Sequence, residues 1–513
     1  MRKLISGCVA AMLAAAGTQA HAAWYEASSK HFIIYANENP AELSNFAARL
    51  ERFDQAVRYI RGMDDPPVGD GNRLTVFVLP KVEAVQQLVG GDRFIDGFYI
   101  GRASGSYAFV PRKAYEDGDD AFSANVIFFH EYAHHLMFQI VDHPLPEWVV
   151  EGFAEFMSTV RFEKNGDIGI GAPPNYRAWG LFNGQRLPLE TMLSGKYSKI
   201  NDEQRESIYG RGWLLIHFLT FEKSRSGQLE RYVDLLSKGT PALQAAQTAF
   251  GDLKKLDREL EEYLNRKMLN YLRLSGAKFQ PGQIDVRPLS PGAAKVVMLR
   301  AQSKKGVDEK TAEPLAVKVR ALEAQYPGDE LVELTVAEAE LDAGHPDASE
   351  AAADRALNAN PRDTKAMVLK GRAIAARGEK LNGDARLQAF VKARALFVGA
   401  NKLDTEDPEP LMEFYKAYVE EGVPPTPNAI AALHYASELA PQDDGLRLNS
   451  ALRYLQEGSV ADAKHALTVV AYDPHGGDVA ELARSMIEKI DAGDTKGALA
   501  VAVSQPGPAS GSH

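Results

Sequence analysis

The first part of the chain alternates apolar runs with segments of helical periodicity. Residues 24–35 and 74–79 are rich in β-branched and aromatic side chains and predict strands, the second buried and followed by a proline. Apolar residues recur three and four positions apart over residues 40–61, which predicts an amphipathic helix. Two apolar runs around a Gly/Ser turn, residues 97–101 and 106–110, predict a β-hairpin. The pattern therefore indicates a small sheet with one helix.

Strongly apolar helices are predicted after the hairpin. The first follows Asp119 and Asp120, either of which can cap a helix N-terminus, and it ends before Pro144. The second begins at Pro146, a residue suited to the first turn of a helix, and continues to about Val160. Further patterns predict a short hairpin over residues 161–170 and helices over residues 207–221 and 232–272.

Beyond residue 311 the chain is alanine-rich and helical in periodicity, and prolines recur at a nearly constant interval. The interval is 34 residues from Pro327 to Pro361, and 33 residues between successive members of the set Pro408, Pro441 and Pro474. The pattern resembles the tetratricopeptide repeat (TPR), in which small residues stand where two helices cross, as Ala337, Ser349 and Ala356 do here. An irregular helical bundle is the alternative.

At 513 residues the chain exceeds what one hydrophobic core can hold, and we expect two or three domains. We place a boundary near Ser275, because all four tryptophans lie before residue 215 and Pro-Gly pairs follow it. Residues 296–299 predict a further strand after this boundary. The expected segments are a signal peptide (1–22), an α+β domain (23–275), a connector (276–310), helical repeats (311–492) and a disordered tail (493–513).

The N-terminus has the features of a secretory signal peptide. Arg2 and Lys3 precede an apolar run, and a small-x-small sequence ends at Ala22, where cleavage is expected. An uncleaved membrane anchor and lipidation at Cys8 are the alternatives. We therefore expect an exported protein, periplasmic or secreted. No later run approaches the roughly 18 apolar residues of a membrane helix, so no stable membrane span is expected.

Charge and cysteine content narrow the possible functions. The formal net charge is −11, which offers no electrostatic footprint for nucleic acid, so no nucleic-acid partner is expected. Cys8 is the only cysteine and would be removed with the signal peptide. Disulfides and thiolate metal ligands are then excluded from the mature chain, and any bound metal must be held by histidine and carboxylate.

The residues suited to catalysis lie in the two apolar helices after the hairpin. Residues 130–134 form an HExxH motif, and positions four apart share one face of a helix, so His130 and His134 can bind one ion together. Glu131 lies about 100° round the helix and is placed to accept a proton from a water on that ion. Glu151, seventeen positions after His134 on the next helix, completes the His₂Glu set of catalytic zinc sites.

Nearby residues offer further or competing roles. Glu155, one turn after Glu151, can accept a ring N–H from a ligand histidine. Glu147 and Glu155 compete with Glu151 as the carboxylate ligand. His143 is an alternative imidazole ligand, although it belongs to the turn that ends the first helix. His135 can face the cleft, but such a residue more often has a packing or surface role.

These segments resemble a known family. HEYAHH followed by EWVVEGFAEF is similar to the gluzincin zinc peptidases, particularly the thermolysin-like and leukotriene-hydrolase-type aminopeptidase group. Members carry HExxH and then a glutamate ligand within an EGxAE-like segment. The resemblance covers about residues 24–272, and it implies that zinc is bound by His130, His134 and Glu151. It also implies that Glu131 acts as general base and acid.

A third segment agrees with the resemblance, and two features depart from it. Tyr209, within Tyr-Gly-Arg-Gly, is similar to the tyrosine of the aminopeptidases' Tyr-x-Lys-Gly, which stabilises the oxyanion. The spacing from His134 to Glu151 is shorter than in the aminopeptidases, and the Gly-x-Met-Glu-Asn segment that recognises a free amino terminus is absent. We therefore favour an endopeptidase over an aminopeptidase, with the edge of the hairpin available to pair with an extended peptide.

The sequence thus predicts an exported zinc-dependent peptidase that cleaves a peptide or protein substrate by a metal-activated water, with Glu131 as general base. The predicted fold class is α+β: a gluzincin-like domain with a small mixed sheet plus helices, followed by all-α, TPR-like repeats that recruit substrate or a protein partner. The alternative is an inactive zinc-binding scaffold that acts through its repeats. The intact Glu131 argues against that alternative, because a scaffold needs metal ligands but no general base.

Overall fold

The structure is a computed structural model that describes residues 24–504, apart from residues 92–94, 96, 113–123, 141–142, 196–199 and 474–475. The predicted signal peptide and the predicted helix caps Asp119 and Asp120 lie outside the described residues. In the part that is described, a small mixed sheet with helices comes first and a long helical region follows. The predicted α+β class is therefore confirmed.

Two sheets are present in the described part of the chain. The strands are β1 (Tyr25–Ser28), β2 (Phe32–Ala36), β3 (Leu74–Leu79), β4 (Phe98–Ile100), β5 (Tyr107–Pro111), β6 (Arg161–Phe162), β7 (Ile168–Ile170), β8 (Leu272–Leu274) and β9 (Asp285–Pro288). The main sheet has the order β4-β5-β3-β2-β1-β9, and the small sheet has the order β6-β7-β8. Strands β2, β3 and β5 are parallel, and the remaining pairs are antiparallel. Both predicted hairpins, β4-β5 and β6-β7, are confirmed.

Helices make up most of the rest. In the first part they are α1 (Pro40–Arg61), α2 (Val82–Leu88), α3 (Ala124–Phe138), α4 (Glu147–Ser158), α5 (Ala178–Phe182), α6 (Leu189–Ser194), α7 (Asp202–Phe221), α8 (Gln228–Ser237), α9 (Ala242–Phe250) and α10 (Leu253–Leu264). The later helices are α11 (Pro291–Lys305), α12 (Ala312–Glu323), α13 (Glu330–Asp342), α14 (Pro346–Ala359), α15 (Thr364–Gly378), α16 (Gly383–Leu403), α17 (Pro408–Glu421), α18 (Pro427–Leu439), α19 (Asp444–Glu457), α20 (Val460–Ala471), α21 (Gly477–Asp491) and α22 (Thr495–Ser504).

The main sheet is covered on both faces, because its central strands are apolar on both. Ile34 and Val76 belong to the core that α1, α3, α4 and α7 share on one face. On the other face Phe77 stacks on Phe109, with 5.4 Å between ring centroids, and α11 packs there through Val297. The sheet therefore supports the helices of the HExxH segment from one side and the start of the helical region from the other.

Four local predictions are wrong. Residues 24–35 are predicted as one strand but contribute to two antiparallel strands, β1 and β2. Residues 296–299 lie inside α11 instead of a strand, because the Ser290 hydroxyl caps that helix and Pro291 occupies its first turn. The helices predicted to continue to residue 272 end at Leu264, and Leu272 instead begins β8, which pairs with β7. The tail predicted to be disordered from residue 493 instead continues as α22, because Ala498 and its apolar neighbours pack into the core of the last helices. Residues 505–513 lie outside the described residues.

The helical region folds back onto the β4-β5 hairpin. Its successive helices pack mainly against their neighbours in the chain, as in a solenoid. The Asn72 side chain donates to the Leu439 carbonyl at 2.9 Å, and the Ala103 N–H donates to Asp443 Oδ2 at 2.8 Å. None of the described helices is both long and apolar enough to cross a membrane. The first part and the helical region therefore share an extended contact beside the hairpin.

One buried histidine of α7 should make the fold sensitive to acid. His217 accepts a hydrogen bond from the Tyr263 hydroxyl at Nδ1 and donates from Nε2 to the Asn270 carbonyl at 2.7 Å, and burial lowers its pKa to about 4. Below about pH 6.5 the unfolded state binds a proton that the folded state does not, so stability falls as pH falls. When the pH is lowered from 7.5 to 5.5, the unfolding free energy of the wild type should fall by about 1 kcal/mol more than that of the His217→Gln variant. Urea titrations at the two pH values measure both changes. An equal loss in both proteins would contradict this assignment.

Candidate metal centre

Helices α3 and α4 bring the HExxH motif and the second glutamate together. Tyr132, Ala133 and Leu136 of α3 are buried in the core, which turns His130 and His134 towards α4. Helix α4 begins after Pro146 and is buried along nearly its whole length, with Glu151 fully buried. The packing of these two helices therefore fixes the three side chains relative to one another.

The three predicted ligand atoms are close to one another. His130 Nε2 lies 3.0 Å from His134 Nε2 and 3.1 Å from Glu151 Oε2, and His134 Nε2 lies 3.4 Å from the same oxygen. Two ligands at about 2.0–2.1 Å from one ion, at the tetrahedral angle, are about 3.3 Å apart. The spacing of the three atoms therefore fits a single zinc ion, and no other arrangement of the predicted ligands is needed.

The charges in this cluster favour a cation. Burial opposes protonation of His130, but the hydrogen bond and negative charge of Glu151 outweigh it and raise the pKa of His130 to about 9. Burial likewise opposes ionisation of Glu151, yet the two histidines hold the pKa of its carboxyl well below its usual range. The carboxylate is thus ionised, and the negative field that holds a proton on His130 would hold Zn²⁺ in its place once that proton is released.

Glu155 lies beside the cluster but does not form the predicted hydrogen bond. Its Oε1 is 3.8 Å from His130 Nδ1, which is too long for such a bond. The carboxylate is instead held by Arg177, whose Nε and Nη2 lie 3.0 and 2.6 Å from Oε1, and by the Tyr176 hydroxyl, 2.5 Å from Oε2. Because the Arg177 guanidinium binds Oε1 through two charge-assisted hydrogen bonds, it fixes the orientation of Glu155.

Tyr209 lies on α7 next to the predicted ligands. The centroid of its ring is 6.0 Å from that of His130, and the Arg177 guanidinium lies over the ring, 4.8 Å from its centroid. Burial and the charge of Glu151 raise the pKa of the phenol, so the side chain keeps its proton. Among the described residues its hydroxyl has no hydrogen-bond partner, so it is available as a donor to a bound molecule.

A close crossing of two helices places Glu151 and Tyr209 around the same centre. A Cβ atom on Gly152 of α4 would lie 2.5 Å from the backbone carbonyl carbon of Gly212 on α7. Only glycine allows this approach, since backbone atoms cannot move aside as a side chain can. Gly152 of the EGxAE-like segment and Gly212 of the Tyr-Gly-Arg-Gly segment are therefore required for the close packing of α4 against α7.

Replacing Gly152 with alanine should push α4 away from α7. We expect a loss of about 1–3 kcal/mol in unfolding free energy and weaker zinc binding, because Glu151 moves with the helix. Gly180→Ala is the matched control, since that helical glycine has open space around it and alanine should be neutral or slightly stabilising there. Thermal unfolding and zinc titration of both variants test this, and equal behaviour of the two would contradict it.

The other histidines and the glutamate considered near the motif lie outside the three-residue cluster. His135 is buried and stacks on Tyr132, its Nδ1 lies 2.8 Å from the Tyr99 hydroxyl, and burial lowers its pKa to about 3. His143 and Glu147 are not members of the three-atom cluster. Glu147 lies in the first turn of α4, where Arg205 approaches it at 3.4 Å. The structure therefore brings together the three predicted ligands and leaves the alternative ligands His143, Glu147 and Glu155 outside that cluster.

A second group of potential ligands lies behind α3. His31, Asp54 and Asp65 place ligand-type atoms close together, but Arg58 binds Asp54 Oδ2 at 2.8 Å and so balances charge that a metal would otherwise meet. The Tyr132 hydroxyl donates to Asp54 Oδ1 at 2.8 Å. We interpret this group as a partly buried ion-pair network that anchors α3 to α1.

Glu131 and His134 line a cavity of about 1110 Å³. The β4-β5 hairpin forms one wall, and side chains of α17, α19 and α21 form the opposite wall, among them Met412, Leu452 and Val479. The volume exceeds the ~300–1,000 Å³ of ordinary small-molecule pockets and would admit several residues of an extended peptide. The wall formed by the helical region and the role of Arg177 could not be predicted from the sequence, because both depend on contacts between distant parts of the chain.

Comparison with known proteins adds no family assignment. No protein-family model matches the chain, and no curated protein matches it. Support for a function therefore comes from the three ligand atoms, from Glu131 and from the cavity that Glu131 and His134 line.

Proposed function

We propose that this protein is a zinc-dependent peptidase. The observation that supports it most strongly is the triangle of His130 Nε2, His134 Nε2 and Glu151 Oε2, with edges of 3.0, 3.1 and 3.4 Å. Those lengths match a tetrahedral ion with three protein ligands and an open fourth position, as in catalytic zinc sites. Glu131 follows the first ligand and borders a cavity of peptide size, as a general base for hydrolysis must.

The roles of the side chains follow from their positions. A zinc ion held by the three ligands would supply Lewis acidity towards water and the scissile carbonyl. Glu131 accepts a proton from the attacking water and delivers it to the leaving amine. Tyr209, which keeps its proton, donates a hydrogen bond to the negative charge that develops on the carbonyl oxygen. Arg177 orients Glu155 so that its carboxyl group lies near the His130 ring.

The cavity supports a peptide or protein substrate. Strand β4 is the edge of the main sheet, and its residues Phe98 and Tyr99 line the cavity, so an extended peptide can add to this edge by main-chain hydrogen bonds. Such pairing suits the interior of a chain as well as its end, which favours an endopeptidase. The apolar wall of the helical region would contact the substrate side chains or a partner protein.

Two further parts of the proposal depend on sequence motifs. The first part of the chain would be gluzincin-like and the helical region TPR-like, as the HExxH and EGxAE-like segments and the recurring prolines indicate. The protein would be exported, to the periplasm or outside the cell, after cleavage following Ala22. Mass spectrometry of the mature N-terminus tests the second point directly.

Digestion of casein and of a peptide library by the purified protein tests the proposal. Hydrolysis should stop when a chelator removes the metal and should return when Zn²⁺ is added back. The Glu131→Gln variant, purified in parallel, controls for contaminating proteases, because a contaminant would copurify with both proteins. The alternative, an inactive zinc-binding scaffold, predicts bound zinc with no hydrolysis of any peptide by the wild type.

A further inference from the structure

The cavity beside the metal centre contains one basic side chain that forms no direct ion pair with a described carboxylate. Four basic side chains line the cavity, and three of them are neutralised by carboxylates of the helical region. The pairs are Lys304 with Glu338 at 2.6 Å, Arg372 with Glu413 at 3.7 Å, and Lys416 with Glu420 at 3.4 Å. The fourth, Arg102, has no carboxylate within 4.0 Å anywhere in the described part of the chain.

Arg102 is half-buried in the turn between β4 and β5. The one hydrogen bond of its guanidinium to a described residue is long, 3.4 Å from Nη2 to the Lys305 carbonyl. A guanidinium keeps its charge under all ordinary conditions, and Asp342 acts on this one only through space, without a direct contact. The Arg102 guanidinium can therefore still form direct hydrogen bonds to a carboxylate in the cavity.

The backbone that carries Arg102 is held firmly. The next residue, Ala103, is buried among side chains of α18 and α19, and its N–H donates to Asp443 Oδ2 at 2.8 Å. Asp443 itself is occupied, because its other oxygen accepts the Leu446 N–H at 2.8 Å. A turn fixed on both sides presents the guanidinium with little loss of entropy on binding, as a recognition residue requires.

The turn also lies close to the metal centre. The Tyr99 hydroxyl contacts His135, the neighbour of a predicted ligand, at 2.8 Å. The same hydroxyl would lie 2.9 Å from a Cβ atom on Gly101, the residue before Arg102. Tyr99 therefore connects the HExxH helix to the turn, and because Glu131 and Arg102 line the same cavity, one bound peptide can contact both.

We propose that Arg102 binds a carboxylate of the substrate, so that the enzyme prefers peptides with a carboxylate a few residues from the cleaved bond. Guanidinium and carboxylate match in geometry and form two parallel charge-assisted hydrogen bonds. The carboxylate can be a C-terminal one or that of an Asp or Glu side chain. The assignment rests on the peptidase function proposed above, and it specifies the substrate class of that site.

Two matched peptide series test it. One compares a free C-terminal carboxylate with the C-terminal amide, and the other compares Glu with Gln at successive positions on either side of the cleaved bond. For the wild type we expect kcat/KM to be about ten- to a hundredfold higher for the acid member of the preferred pair. Arg102→Gln should remove this preference mainly through KM and leave the amide or Gln peptides nearly unaffected. Arg102→Lys should restore part of the preference.

Two further measurements make the result specific. Lys305→Gln removes one positive charge next to the cavity without changing its lining, and it should leave the preference intact. On the inactive Glu131→Gln background, fluorescence anisotropy should show the same acid-over-amide selectivity in peptide binding and its loss on adding Arg102→Gln. Cleavage with equal rates for both members of every pair, or an unchanged preference in Arg102→Gln, would overturn the Arg102 assignment alone. Absence of any cleavage together with non-selective binding would overturn both proposals.

Discussion

Glu131→Gln should abolish peptide hydrolysis while leaving zinc bound. The amide keeps the size of the side chain but cannot accept a proton, so we expect kcat to fall by about 10²–10⁴-fold, the range found for general bases. Zinc affinity should stay close to that of the wild type, because none of the three ligand atoms belongs to Glu131. Peptide cleavage assays and metal analysis on the same preparation measure both quantities.

The control for that experiment is Glu42→Gln. Glu42 is an exposed carboxylate in the first turn of α1, far from the motif in sequence, and its amide should cleave peptides at the wild-type rate. If Glu131→Gln retained the wild-type rate, Glu131 would not be the base and the proposed mechanism would be wrong. If it lost zinc together with activity, the glutamate would be needed for the metal site instead of the chemistry.

His134→Ala should release the metal. One of three protein ligands is removed, and since loss of even an outer partner of a ligand weakens binding by about 10–100-fold, the loss of a ligand should exceed that. Activity should disappear with the zinc. The variant should also unfold at the same temperature with and without added Zn²⁺, whereas the wild type should gain stability from the ion it binds only when folded.

A histidine outside the cluster supplies the comparison for this variant. His465 is exposed on α20, and His465→Ala should keep full zinc content, activity and the zinc-dependent rise in unfolding temperature. Retention of one zinc ion per chain by His134→Ala would contradict the ligand assignment. In that case the second group of ligand-type atoms, around His31, would be the alternative site for the bound zinc.

Much of the local structure could be predicted because its causes are local. Helix α1 has the bounds expected from its periodicity, since Asn39 and Gly62 provide a cap at each end, and β3 has the bounds of its apolar run. The spacing of His130 and His134 needs only a helix to bring the rings together. Glu151 required one more step, the packing of two helices joined by a short connection.

What could not be predicted depends on contacts between distant residues. Strand β9 pairs with β1 across about 260 positions, and Ala103 meets Asp443 across 340. Arg177 lies on a short turn of helix with no motif, yet it determines where the Glu155 carboxylate points. Such pairings carry no local signal in one sequence, so the wall of the cavity formed by the helical region became visible only in the fold.

The central claim is that one zinc ion is held by His130, His134 and Glu151, and anomalous diffraction from crystals of the full chain with one equivalent of Zn²⁺ tests it most directly. We expect a single strong peak at about 2.0–2.1 Å from Nε2 of both histidines and from a carboxylate oxygen of Glu151. A peak at the His31 group with none between these three side chains, or no ordered zinc at all, would contradict the account.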